Sequence, residues 1–330
     1  MRAYLLKRLL LIPITLFGIT FITFAVMKLA PGDPAQALKA QFSGGAMAAS
    51  ESNQKVITQW RKERHLDRPL HVQYGYWLRD LARFDLGRSY ITPSQTVTGI
   101  IWERMWITIL MNLIAFGLMY TIAIPIGIVG AAKQFTIWDR ILTIVPFILY
   151  SLPTFWVGTL LIAYVTSPKG FPTSGYFAGT IAEVGFLPWL WEWTRHLALP
   201  IFCETYAYLA FLSRQMRSSL LEQVRQDFIR TARAKGLAER VVILRHATRN
   251  ALIPIVTLLG SLLPAVLAGA IIIEQLFSIP GMGQLFIESV YQRDYPVLMG
   301  IEVVSAILTL IGMLLSDLLY VMVNPTISYD

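Results

Sequence analysis

The sequence predicts an all-α membrane protein that crosses the bilayer six times. Three observations carry that expectation. Only 15% of its 330 residues are charged, where soluble domains carry about 25%. Mean hydropathy is +0.56. Charge-free runs beginning at Leu9, Trp106, Ile141 and Asn250 each reach the ~18 residues that mark a spanning helix. Two weaker runs complete the six: 197–213, interrupted by Glu204, and 295–323, interrupted by Glu302 and Asp317. Unpaired backbone groups are too costly in hydrocarbon for anything but helices or a closed barrel, and no barrel alternation is present.

The opening "MRAYLLKRLLLIPITLFG" has the flavour of a secretory signal. Its apolar run exceeds the ~7 to 15 residues of a signal core and five more spans follow, so residues 1–30 are expected to be an uncleaved first helix. Residues 31–99 open on the turn "APGDPAQ" and continue with helical spacing at Val72, Tyr76, Leu78 and Leu81, as expected of a small external subdomain. Residues 100–330 form the five-helix core. Its second external piece, 167–195, carries Trp189, Trp191 and Trp193, which suit an interfacial aromatic belt.

Prolines fall inside the runs at Pro13, Pro125, Pro146, Pro153, Pro200, Pro254 and Pro264. Each removes a helical hydrogen bond and bends or loosens its helix. Gly117, Gly127, Gly130, Gly260 and Gly269 permit close helix approach. Kinked helices with small contact faces suit a bundle that changes shape, and plain packing accounts for them equally well. The lone Cys203 forms no intrachain disulfide, and its place in a span reads as packing.

Basic residues set the orientation. With a cytoplasmic amino terminus, the short inner connections hold 14 Lys and Arg and the outer ones only Lys169, Arg195 and Arg293. That asymmetry places both termini inside. The excess of eight positive charges accordingly records orientation and anionic lipid contact, and nucleic acid is not an expected partner.

The densest basic stretch is "RQDFIRTARAKGLAERVVILRHATRN", 225–250, within an inner loop taken as 214–250. Leu220, Val224, Phe228 and Ala232 recur every four residues as an apolar stripe. Gly236 falls where a helix would end, and a second short helix is expected from about Ala238. A helix, a glycine joint and a second helix have two plain uses, lying on anionic lipid or inserting into a partner.

The words "FIRTARAKGL" and "HATRNALIPIV" resemble the cytoplasmic coupling loop of ATP-binding-cassette importer permeases of the oligopeptide, dipeptide and nickel branch. Thr231, Ala232 and Gly236 match the small pair and glycine of that motif, and Arg230 stands where many importers carry an acid. "APGDP", "FDLGRSY", "SLPTFWVGTLLI", "FPTSGY", "HLALP" and "EQLFSIPGMGQLFIESVYQRDYP" are similar to the same branch, in the same order, over essentially the whole chain. Glu302 and the polar stretch Ser43 to Ser52 depart from it and leave the substrate open.

The resemblance implies an integral permease subunit of the cell's inner (plasma) membrane, forming the pathway for peptides or a related small solute. It further implies a second homologous permease, two cytoplasmic ATPase subunits that hold ATP and Mg, and an extracytoplasmic binding protein. The sequence itself has no GxxxxGK[ST] loop, so the chain is not an enzyme, binds no cofactor and relies on ATP hydrolysed elsewhere. No metal-ligand spacing appears, and His65, His71, His196 and His246 are scattered. The coupling loop then comprises Asp227, Phe228, Arg230, Thr231, Ala232, Arg233, Ala234, Lys235, Gly236 and Leu237. Asn112, Ser151, Thr154, Glu204 and Ser261 are the candidate pathway residues among the polar groups within spans. A secondary transporter is the alternative, although paired inverted halves are not visible. An intramembrane enzyme would need a nucleophile and base that the spans lack.

Overall fold

The computed structural model describes residues 2–29, 35, 51–166, 172, 175, 179–268 and 270–323, with backbone alone for 2–9, 51–54, 259–268 and 316–323. Among these residues no strand forms, and one isolated antiparallel bridge pairs Arg88 with Thr96. The chain divides into two compact units, 1–106 with 284–308 and 107–283 with 309–330.

In the first unit, α1 (Arg2–Leu29) and the amphipathic α2 (Glu51–Glu63) precede α3 (Leu70–Leu81). Pro69 caps α3 in an extended conformation that the missing N–H of proline tolerates. Tyr74 is its buried residue, packed with Phe24 and Met299. The Tyr74 hydroxyl meets the hydroxyl of Thr20 at 3.0 Å. The first turns of α4 (Val97–Ala132) follow, and Gly300, early in α14 (Tyr295–Val323), leaves only 2.4 Å between a built Cβ and Val97 Cγ1. No larger residue fits there.

The second unit holds the remainder of α4, then α5 (Ile137–Ser151), α6 (Thr154–Leu161) with a π turn (Ile162–Thr166), α7 (Ile181–Val184) and the 39-residue α8 (Phe186–Val224). Next come α9 (Asp227–Ala234), α10 (Glu239–Val241) with a π turn (Val242–Ala247), α11 (Thr248–Ala268) and α12 (Ile271–Leu276). The last to be introduced, α13 (Met282–Gln292), starts in this unit and ends in the first. Gly127 of α4 sits against α8, where a Cβ would lie 2.6 Å from Met216 Cβ and 2.7 Å from the Ser213 carbonyl oxygen.

Among the described residues four helices are long and apolar enough to cross a membrane: Leu10–Leu29, Val97–Ala132, Glu239–Leu258 and Tyr295–Leu315. The predicted third span differs from a single helix. It is the pair Ile137–Ser151 and Thr154–Thr166, bent by 90°, and counts as a fifth crossing if the two are one broken span. Pro153 explains the break, because it removes a donor and forces Leu152 into the extended region at ψ 125. Within the piece expected outside, 167–195, residues 186–195 form the start of α8. There Trp193 is buried and its ring lies 5.3 Å from that of Trp189, so it packs inside instead of facing a membrane interface, while Trp191 is exposed. Lys169, Gly269 and most of the stretch 167–178 fall outside the described residues, as do the surroundings of Gly260 and the side chains of Pro264 and Asp317.

Candidate functional site: a basic elbow on a buried seat

The elbow begins where α8 stops. Arg225 closes α8 and Gln226 turns the backbone extended, at φ −74 and ψ 153. This break resets the helical phase. The stripe Leu220, Val224, Phe228, Ala232 therefore does not run on one face, because Leu220 and Ala232 are buried whereas Phe228 is 41% exposed. The inward pair of α9 is Ile229 and Ala232, seated in the core built from Leu212, Met216, Leu220, Val242 and Ala247. Burying Ile229 completely contributes roughly 1.5 to 3 kcal/mol, enough to hold an eight-residue helix that would not form alone.

The opposite face is open. Asp227, Arg230, Thr231, Arg233, Ala234, Lys235, Gly236 and Leu237 are all exposed. Arg230 pairs with Asp227 at 3.2 Å, and the Thr231 hydroxyl donates to the Asp227 carbonyl at 3.1 Å. Across the joint, Arg233 donates to both carboxylate oxygens of Glu239, at 2.6 and 3.0 Å. That hydrogen bond raises the Arg233 guanidinium further above its ordinary value and keeps it charged. Both partners are well exposed, so the pair contributes less than about 1 kcal/mol, and its value is geometric.

Gly236 makes the joint. Its N–H donates to the Arg233 carbonyl at 2.9 Å, and its φ is +76, the left-handed region that costs a side-chain-bearing residue roughly 1 to 2 kcal/mol. A second helix then starts from Ala238, as the sequence predicts. Phe228, Leu237, Val241 and Leu244 are all exposed on this segment, interleaved with exposed Arg230, Arg233, Lys235, Arg240 and Arg245. Apolar groups interleaved with cations thus share one exposed surface.

Residues 123–329, most of the second unit and the elbow with it, match the family of binding-protein-dependent transport system inner membrane components. The chain belongs to that family. Full-length relatives agree. The oligopeptide transport system permease protein AppB of Bacillus subtilis (strain 168) is 37% identical over 331 residues, covering 100% of both chains. A putative peptide transport system permease protein of Brucella abortus (strain 2308) is 36% identical over 332 residues, again covering 100% of both. The dipeptide transport system permease protein DppB of Bacillus subtilis (strain 168) is 33% identical, over 99% of this chain and 98% of its own. In fold, this inner membrane component is similar to the MetNI methionine ABC transporter in an inward-facing conformation, with a TM-score of 0.54 at 17% identity, over 68% of this chain and 96% of that one.

The candidate pathway residues are scattered within this inner membrane component. Asn112 is buried and donates to the Thr108 carbonyl at 2.9 Å. Ser151 is exposed beside the break and donates to the Phe147 carbonyl at 2.9 Å, and Thr154 is half-buried just beyond it. Glu204 is buried within the second unit, and among the described residues neither of its carboxyl oxygens has a hydrogen bond. The side chain of Ser261 lies outside the described residues.

Two polar constellations have no local signal in the sequence. Glu274, wholly buried, accepts from the Thr108 hydroxyl at 2.8 Å and from the Gly283 N–H at 2.7 Å, while Thr108 accepts from the Met282 N–H at 2.8 Å. A Cβ on Gly281 would lie 2.5 Å from both Glu274 and Thr108, which accounts for the glycine at that position. Asp139, in the first turn of α5, receives a bidentate Arg217 of α8 at 2.8 and 2.9 Å and the Phe135 N–H at 3.0 Å. This charge-assisted clamp ties the α4–α5 turn to α8.

Proposed function

We propose that this permease is the pathway subunit of an ATP-driven importer of peptides or a related small solute, and that the elbow is the handle through which ATP moves it. The observation that carries the reading is the two-sidedness of α9. Ile229 and Ala232 lock it to its own core while Phe228 and a ring of cations face outward. Full-length kinship to peptide permeases supports the solute class.

In this reading the chain spans the inner membrane six times, with 1–30 as the first helix, 31–99 outside, the core 100–330 following and both termini in the cytoplasm. A second homologous permease completes the pathway, two ATPase subunits hold ATP and Mg, and an extracytoplasmic binding protein delivers solute. Membrane lipid surrounds the spans. Phe228 enters a cleft of an ATPase subunit, and Arg230, Arg233 and Lys235 meet its carboxylates. Closure of the ATPase pair around ATP carries α9, and α8 with it, toward outward access, because ATP binds one arrangement more tightly. Asn112, Ser151, Thr154, Glu204 and Ser261 are the polar groups offered to the pathway.

The lone Cys203 is buried, so Phe228→Cys supplies an accessible thiol without removing another. We expect it to crosslink to a co-expressed ATPase subunit, with a yield that changes when ATP is added. Labelling of that thiol from the external side of intact cells, or no crosslink to an ATPase, would overturn the reading.

A further inference from the structure

The first unit contains a cavity of about 500 Å³ that the import mechanism leaves unused. It is the size of a small-ligand site and lies among α1, the α2–α3 turn, α3, the Asp85–Tyr90 stretch and the start of α14. Three carboxylates and three Lys or Arg side chains line it, with His65. Almost all of that charge is already engaged. Arg64 rests on the rings of Trp60 and Tyr90, at 4.5 and 5.6 Å, with Glu63 at 3.8 Å. Arg88 donates to the carbonyls of Pro93 and Ser94. Asp80 pairs with Arg79 at 3.0 Å, and Asp85 accepts from the Gly87 N–H at 2.8 Å.

Lys28 is different. Its ammonium sits 5.6 Å from the centre of the Phe24 ring and 5.3 Å from that of Tyr295. Among the described residues it has neither a hydrogen-bond acceptor nor a carboxylate within ion-pair distance. A half-buried cation held by ring faces is partly desolvated yet unneutralised, so an arriving carboxylate is worth more there than at an exposed lysine. Asp80 and Asp85 line the same space. A simple anion would meet their repulsion, whereas a molecule with an ammonium as well as a carboxylate finds opposite charge for both.

We propose that this cavity is a loading site for a short zwitterion of the amino-acid or short-peptide class, with its carboxylate on Lys28 and its ammonium toward Asp80 and Asp85. The inference rests on the import reading for its biological sense and fails separately from it.

The test is equilibrium binding of radiolabelled alanyl-alanine to the permease complex in lipid nanodiscs, without the external binding protein, with the C-terminal amide and inorganic phosphate as competitors. The free acid is expected to bind saturably and about tenfold more tightly than the amide. Lys28→Met should erase that preference by weakening the acid to the level of the amide, and Lys28→Arg should keep it. A purely structural role for Lys28 would weaken acid and amide alike and would overturn the proposal. So would equal binding of acid and amide to the unaltered protein, or competition by phosphate as strong as by the dipeptide. If Lys28→Met fails to assemble by size exclusion, Lys28→Gln is read in its place, and Asp80→Asn should weaken alanyl-alanine while sparing its N-acetyl form. Dipeptide import without such binding would sink the loading site alone. Binding with no ATP-dependent import would sink the import reading alone.

Discussion

Substituting Gly236 by Asn and by Asp separates conformation from charge at the elbow. The φ of +76 taxes any side chain, but Asn and Asp tolerate the left-handed region best. A Cβ there meets nothing within 4 Å, so no steric term is added, and the N–H to the Arg233 carbonyl survives both changes. The expected loss of stability is therefore the same for both, below about 1 kcal/mol. The two variants differ by one negative charge among Arg233, Lys235 and Arg240. Within the isolated permease that charge is neutral or mildly favourable. Against an acidic cleft it is repulsive: at an effective dielectric of about 20, a like charge ~8 Å away costs ~2 kcal/mol, and salt reduces this to ~1. That corresponds to about a fivefold fall in productive docking. The assay is solute-stimulated ATPase activity of reconstituted complexes, normalised to permease content. Gly236→Asn should retain coupling, and Gly236→Asp should lose about fivefold, less so at high salt. Equal activity of the two variants would refute the reasoning and leave Gly236 as nothing more than a helix cap.

Three further outcomes are expected. Asp139→Asn leaves Arg217 without its bidentate partner and should cost about 2 to 3 kcal/mol, with more than half recovered in the double variant with Arg217→Met, as read by thermal unfolding in detergent. Gly127→Ala forces a Cβ against Met216 and the Ser213 carbonyl and should cost roughly 1 to 3 kcal/mol, visible as a lower midpoint of aggregation. Phe228→Ala, being exposed, should leave that midpoint unchanged while cutting solute-stimulated ATPase activity about tenfold, in the range of a docking anchor.

What was legible in the sequence was what local chemistry dictates. Gly236 ends an amphipathic run, so its role as a helix stop can be read directly. The apolar runs at Leu9, Trp106 and Asn250 announced themselves by length, although the run from Ile141 did not announce its break. Pro153 was visible there as a bend, but only the extended Leu152 before it turns a kink into a 90° corner. The face of α9 is hidden from the sequence for a related reason. Val224 to Asp227 contains neither Gly nor Pro, so nothing but the acidic Asp227 marks a new helix, and a continuous register puts Phe228 inside instead of Ile229. Thr108 with Glu274 and Asp139 with Arg217 stand 166 and 78 positions apart. No periodicity reports a bond of that span, and Glu274 reads simply as one charge beside an apolar word.

The stacking of Thr108 and Glu274 over Gly281 has a further consequence, for how this chain can change. Thr108 shares one small volume with Glu274 and Gly281, more than 160 positions further along the polypeptide, and the absence of a side chain at 281 is what leaves room for the other two. A larger residue at 281 would have to displace a carboxylate that is itself tethered to two backbone amides, directly at Gly283 and through Thr108 at Met282. Substitutions there must arrive as matched sets or not at all, so anyone redesigning the segment from Ile271 to Gly283 should vary these three sites together.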